Sequence, residues 1–349
     1  MRAVGVRQLP DRLRQSRPTR APATGNLYVI GADASVCTTL ANSNDATDTG
    51  NGAVWSAGEI TFNVHFAIQF AAMKHFLEHR TDFSDPRTAV IYDELSIWSS
   101  RFGHLLFQHL AIRDHLKILD VGCGTGFCLM ELAQVYGPSC QLVGVDVWPQ
   151  AIKRAKSKLT LHELSNVEIV EADAAHLPFP SSEFDLLVSN LGLNNFEDPG
   201  AVLQECFRVS KDGGRIVLTT NIKGHMQEFY AIFRETLRER DKSEELERLR
   251  LNEDHRGTRE SVCGLLETAG FRVGKVVEES FVLRYLDGTA LFNDSLTKFG
   301  FLDGWRAVVD PAEENEIFAL LETKLNSVAN KIGELRMTIP MLYVEGDKP

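Results

Sequence analysis

The sequence predicts an α/β fold: a doubly wound, mostly parallel seven-stranded sheet with helical insertions. Three observations predict it. The run Ile118-Leu119-Asp120-Val121-Gly122-Cys123-Gly124-Thr125-Gly126 is an apolar strand that ends in an acid and a glycine-rich turn, and a helical pattern follows from Phe127 to Val135. Short apolar runs then recur, separated by amphipathic helical patterns, the alternation expected of a parallel sheet. With 349 residues, 44% of them hydrophobic, the chain can bury a full core, as one enlarged domain rather than two.

The elements are taken in chain order. Residues 1–60 read as a disordered or targeting tail. Residues 1–24 hold Arg2, Arg7, Arg12, Arg14, Arg17 and Arg20 against the single acid Asp11. An Arg-rich, acid-poor start fits an organelle transit peptide, but Pro10 and Pro18 interrupt any long amphipathic helix. Residues 61–112 read as N-terminal helices. Thr61–Arg80 carries Phe62, Phe66, Phe70, Met73 and Phe76, and Ala89–Ala111 is helical with a break at Ser99-Ser100.

The domain proper spans 113–346. Its second strand, Gln141–Asp146, ends in an acid 20 residues beyond Gly126, where a carboxylate accepts from the ribose hydroxyls of a nucleoside. The third strand, Val167–Ala172, exits at Asp173-Ala174, ahead of His176-Leu177-Pro178-Phe179. The fourth, Phe184–Asn190, opens at Asn190, and the fifth follows the Gly213-Gly214 turn. Helical patterns over Pro149–Thr160 and Pro199–Val209 link them. Right-handed crossovers bring Asp120, Asp146, Asp173 and Asn190 to one rim.

The glycine spacing selects the cofactor. A dinucleotide fingerprint, G-x-G-x-x-G, needs glycine or a small residue where Phe127 or Leu129 stands. The pattern present, D-x-G-x-G-x-G, resembles motif I of the class I S-adenosylmethionine (SAM)-dependent methyltransferases. The broad resemblance is to the methyltransferase type 11 (UbiE-like) group of small-molecule enzymes, which includes ubiquinone and menaquinone biosynthetic methyltransferases and acyl-carrier or fatty-acid methyl-ester formers. It covers residues 90–222 well, and 258–275 and 333–346 more loosely. The resemblance implies a Rossmann-like methyltransferase fold with SAM as cofactor. It implies cofactor binding by Asp120, Gly122, Cys123, Gly124, Gly126 and Asp146. Val147 and Trp148 would flank the adenine, Asp173 with Ala174 would meet its amino group, and Asn190 would stand at the rim. Tyr92-Asp93 resembles the Y-D pair near the methionine end of SAM, with a core tyrosine as the alternative.

Two insertions interrupt the pattern, at 221–257 and 286–332. The first centres on one charged amphipathic helix, Met226–Arg250, carrying Phe229, Tyr230, Phe233 and Leu237. The second holds Phe292, Phe299, Phe301 and Trp305, then a helix over Pro311–Ala329. Together they are expected to form an apolar, mobile cap that excludes water and aligns the acceptor. Strand six is read as Arg272–Val282 and the last strand as Met337–Val344, with Pro340 marking an edge or bulge.

The expected reaction is in-line methyl transfer to a small, apolar metabolite, in which proximity and orientation are the main contribution of the protein. His225 is the first candidate for a general base, followed by His176, Asn194, Asn195 and Tyr230. The net charge of −11 disfavours nucleic acid as a partner, and no apolar run reaches membrane-spanning length. Six cysteines without a C-x-x-C pair fit reduced thiols in the cytoplasm, or in a mitochondrion or plastid if residues 1–24 are a transit peptide. No metal site is expected. Two other readings stay open: a catalytically silent SAM-fold subunit that acts through a partner, and a nicotinamide-dependent oxidoreductase.

Overall fold

The computed structural model describes residues 76–349. The expected tail and most of the helix read over 61–80 lie outside the described residues. Seven strands form one sheet: β1 (Lys117–Val121), β2 (Gln141–Asp146), β3 (Val167–Glu171), β4 (Phe184–Asn190), β5 (Ser210–Asn221), β6 (Arg272–Tyr285) and β7 (Leu335–Asp347), in the order β3-β2-β1-β4-β5-β7-β6. The first five are parallel to one another; β7 runs antiparallel to both β5 and β6. The parallel strands therefore exit at one rim, as the crossover argument requires.

Period-two alternation explains the two-faced core. Ile118, Leu142 and Leu186 face one side, and their neighbours Leu119, Val143 and Leu187 face the other. The first face is covered by α2 (Ser96–His109), α3 (Phe127–Tyr136) and α4 (Pro149–Leu161), through Phe102, Leu106, Leu129 and Ile152. The second face is covered by α5 (Pro199–Val209) and α8 (Arg259–Ala269), through Val202, Leu203, Val262 and Leu266. Sequence signals start both helices of the second face: Asp198 caps α5 ahead of Pro199, and Thr258 with Ser261 forms a capping box on α8.

Several expectations shift. The first helical region breaks at Leu95, between α1 (Pro86–Glu94) and α2, while Ser99 and Ser100 lie inside α2. No glycine or proline marks that break, and small polar residues are tolerated in a helix interior. The charged helix expected over 226–250 is two, α6 (Gln227–Glu239) and α7 (Ser243–Asp254). Asp241, at φ +55°, turns the chain between them in a region that short polar side chains tolerate. Pro340 is not on a sheet edge: β7 is flanked on both sides. However, β5 ends at Asn221 opposite Met341, one residue short of Pro340. Its carbonyl, which accepts from Ile222 N, points to that vacated side, so the missing N–H costs no ladder bond.

Beyond that point β6 and β7 continue as a two-stranded extension that carries the insertions. Its open side is closed from α6. Met226 N donates to Thr338 O at 2.8 Å, and the Glu228 carboxylate accepts from Thr338 N at 2.9 Å and from its hydroxyl. Satisfying a strand edge in this way removes unpaired backbone groups. The second insertion folds as α9 (Gly288–Asn293), α10 (Ser295–Gly300), α11 (Leu302–Arg306) and α12 (Glu314–Ile332). Both insertions share one aromatic core. Phe229 stacks on Trp305 at 4.0 Å, Phe76 stacks on Phe292 at 4.6 Å, and Trp305 Nε1 donates to Tyr230 Oη, which donates to Asn252 Oδ1. This cluster is continuous with the α2–α4 face of the sheet, so the cap is packed onto the domain.

Trp305 is 1% exposed at the centre of that cluster. Trp305→Ala is expected to cost about 3–5 kcal/mol of unfolding free energy. Urea denaturation followed by far-UV circular dichroism checks this. A single transition shifted to lower urea is expected; an early separate loss of the cap helices would refute the shared core.

Candidate active site

The glycine turn hangs from one acceptor. Gly122 N and Cys123 N both donate to Val145 O, at 2.9 Å each, and Gly126 N returns to Cys123 O at 2.8 Å. This tight path puts Gly122, Gly124 and Gly126 at φ +75°, +52° and +82°, where an L side chain is strained. At Gly126 a Cβ would also stand 3.0 Å from the Ala155 methyl on α4. Gly126 then opens α3 without a side-chain cap, which leaves the first-turn N–H groups to other partners.

Two carboxylates stand behind this turn. The oxygens of Asp146 are fixed by backbone: Oδ2 accepts from Gly124 N at 2.7 Å and Oδ1 from Trp148 N at 2.9 Å. Burial raises its pKa, and these N–H donors oppose the rise. Asp120 is 1% exposed, and neither of its oxygens finds a hydrogen-bond partner. Burial first, then the nearby Asp146 charge, pushes its pKa up to about 8. An unpaired buried acid is costly to keep. With the side-chain-free cradle beside it, it fits a cofactor that bears positive charge, as SAM does on its sulfur and amino groups.

Six of the expected residues, Tyr92, Asp120, Gly122, Cys123, Gly124 and Asn190, line one cleft over the turn. Asn190 is held between elements: its Oδ1 accepts from the Thr219 hydroxyl at 2.7 Å and its Nδ2 donates to Ser99 O at 3.2 Å. Tyr92 is set by its neighbour. Asp93 binds Arg154 at 2.8 Å and Lys158 at 2.6 Å, tying α1 to α4. Burial opposes ionisation of Asp93, but the two cations prevail and hold its pKa below the usual range. Asp146 and Gly126 support the cleft from behind.

Other expected residues stand apart from this lining. Val147 is 62% exposed. Trp148 donates from Nε1 to Phe83 O and meets Tyr92 edge-on. Asp173 is exposed and caps its own turn, accepting from Ala175 N at 2.9 Å and pairing with His176 Nδ1 at 3.0 Å, while Ala174 is buried beneath it. His225 lies outside the cleft. Its ring is 3% exposed between Trp98 and Phe301, with neither nitrogen partnered. Burial, and then the Arg256 charge, lowers its pKa well below the usual value, so the ring is neutral. Asn194 donates to Asn221 O and Asn195 to Leu191 O.

Several contributors escaped the sequence reading. Ser99 lines the cleft without any motif to mark it, and Thr125 lines it from an unspecified position of the glycine motif. Gly144 underlies the turn: a Cβ there would be 2.6 Å from Leu129 Cδ2 and 2.9 Å from Cys123 Sγ. A lone glycine inside the apolar run Val143–Val145 is the signal for such close approach. At the exit of β4, Leu191 adopts φ +69°, a strained conformation of the kind that clusters at functional sites.

The profile of a family described as "Methyltransferase domain" matches residues 112–270. A demethylmenaquinone methyltransferase of Geobacillus sp. is 36% identical over 152 residues, covering 41% of this chain and 65% of that protein. The same enzyme of Lactococcus lactis is 31% identical over 137 residues, covering 39% and 53%. The chain thus spans just over half to about two thirds of the length of these relatives. Among solved structures, a SAM-dependent methyltransferase from Aquifex aeolicus aligns over 55% of this chain and 92% of its own, at 24% identity and a TM-score of 0.43. Residues 112–270 of this chain are thus similar to a methyltransferase domain. Among the described residues, no helix is long and apolar enough to cross a membrane.

The raised pKa of Asp120 has a consequence for stability. Its folded-state value of about 8 exceeds the 3.8 of a free aspartate, so the folded chain holds the extra proton across that interval. Its contribution is fully present below pH 3.8 and is lost as pH rises through about 8. Asp120→Asn removes this dependence. The variant is expected to gain stability relative to wild type as pH rises from about 5 to about 8. Urea titrations at several pH values check it; parallel stability curves for the two proteins would refute it.

Proposed function

We propose that this chain transfers the methyl group of SAM to a small-molecule acceptor. The observation that carries the reading is the juxtaposition of a left-handed glycine cradle with the unpartnered, buried Asp120. When bound, SAM supplies a methyl group on a cationic sulfur, already activated for attack. The chain's own residues then bind and orient. Asp146, its oxygens fixed by two backbone amides, keeps lone pairs for the cofactor's ribose hydroxyls. Asp120, whose burial favours its protonated form, ionises against the positively charged group that is to be held there. Tyr92 and Asn190, locked by Trp148, Thr219 and Ser99, shape the wall. Asp173, Ala174 and Val147 belong to the adenine side if the exposed turn at 173–176 closes over the ring.

Such a site needs no strong base, because orientation and exclusion of water account for most of the rate. The neutral ring of His225 is a weak proton acceptor, so a base role for it requires an acceptor that loses its proton easily. The acceptor is a small metabolite with an apolar body, supported by the aromatic character of the cap and by relatives that act on demethylmenaquinone. The matched residues, 112–270, stop before α9–α12, so that part of the cap lies outside the matched domain. A reducing compartment such as the cytoplasm fits the unpaired thiols at Cys123, Cys128, Cys140, Cys206 and Cys263.

Calorimetric titration with S-adenosylhomocysteine tests the reading. The wild type is expected to bind, and Asp146→Ala to bind at least about tenfold more weakly, the usual cost of a lost hydrogen bond to a charged group. Labelled SAM with small quinols and phenols then tests transfer. Stabilisation by NAD in place of S-adenosylhomocysteine would overturn the assignment.

A further inference from the structure

A second cleft opens beyond the end of β5, between the 223–225 segment, α6 and the end of α7. Its charge is unlike that of the chain as a whole. Lys223, Arg234, Arg238, Arg250 and Arg256 line it against two acids, Glu253 and Asp254, in a protein of net charge −11. Three of the cations are committed: Lys223 to Asp254, Arg234 to Glu253, and Arg250 to Glu247 and Asp254. Arg238 and Arg256 pair with no carboxylate among the described residues. Arg256 lies over the Phe301 ring, with Cζ 5.7 Å from its centroid.

The cleft also has a built floor. His225 lines it, 3% exposed, with both ring nitrogens unpartnered. Aromatic rings wall it in, Phe301 at 4.9 Å and Trp98 at 5.6 Å. A buried polar group without a partner is expensive unless a ligand supplies one. The neutral ring carries one N–H, a donor suited to an oxyanion. Leu246 and the Tyr230 ring add apolar surface.

The two clefts share a wall. Trp98 meets His225 on one side, while Ser99, the next residue of α2, lines the glycine-turn cleft on the other. His255 Nε2, just after α7, donates to Asn194 O beyond the exit of β4, fixing the second cleft against the same rim.

We propose that this second cleft binds the anionic group, phosphate or carboxylate, of the methyl acceptor, with Arg238 and Arg256 as its charge partners and His225 as its hydrogen-bond donor. This assignment to the acceptor rests on the methyl-transfer reading above; the anion site itself does not.

The test titrates the full chain with inorganic phosphate and, separately, with benzoate, against sodium chloride at equal ionic strength. Saturable binding of at least one anion is expected. It should weaken at least about tenfold in the Arg238→Gln/Arg256→Gln double variant and in His225→Phe, while S-adenosylhomocysteine affinity stays within about twofold of wild type. Preference for phosphate assigns a phosphorylated acceptor, and preference for benzoate a carboxylic acid. Binding of neither anion, or equal binding by the double variant, overturns the proposal. Since both arginines sit at the surface of the cleft, the double variant keeps the test independent of any folding defect in His225→Phe. Anion binding without S-adenosylhomocysteine binding would keep the site and overturn its assignment to the acceptor.

Discussion

The carbonyl of Val145 is the point from which the cofactor half is hung. By accepting from both Gly122 and Cys123, it draws the chain leaving β1 across the end of β2. The turn is then too tight for ordinary side chains, which is why three alternate positions are glycine. The same approach sets Gly124 N on the Asp146 carboxylate and presses Cys123 onto β2, where Gly144 leaves room for it. Asp120 is consequently buried at the cleft beside the turn, where the Asp146 charge acts on it. Local backbone geometry thereby creates the electrostatics: a buried acid pair that a positively charged ligand would relieve.

The cap depends on a different constraint, the unequal length of neighbouring strands. Because β6 and β7 outrun β5, they leave a strip of backbone that α6 must satisfy through Met226 and Glu228. That anchoring fixes the first insertion, and the Phe229–Trp305 stack fixes the second insertion to the first. The cap expected from composition packs as a continuation of the core.

The parallel half was legible because each strand pairs a strong apolar run with a marker at its exit, and the glycine spacing after Ile118 admits few alternatives. The helical insertions were harder. Alternating charges over 238–250 obscured a left-handed turn at Asp241, and nothing in the residues around Leu95 announces a break. The reach of β6 and β7 was underestimated because their last residues read as insertion when the partner strand is unknown. In the site, acids at strand exits were easy to find. Whether an exit acid faces a ligand or caps its own turn, as Asp173 does, depends on the one or two residues that follow, and no periodicity reports that.

The charges of the two clefts run in opposite senses, and the placement of each is physically economical. Coulombic attraction acts at longer range than contact, so a negative pocket and a positive pocket sharing the Trp98–Ser99 wall orient two oppositely charged ligands before either is fully seated. The acid pair is held by burial rather than by cations, so Asp120 favours its protonated form until a positively charged ligand draws out its charge. The positive cleft keeps two guanidiniums free by committing its acids to Lys223, Arg234 and Arg250. Reversing either arrangement would leave each ligand facing its own charge across the shared wall. The polarity of the clefts therefore imposes a direction on ligand placement that shape alone, in a cap this apolar, would not supply.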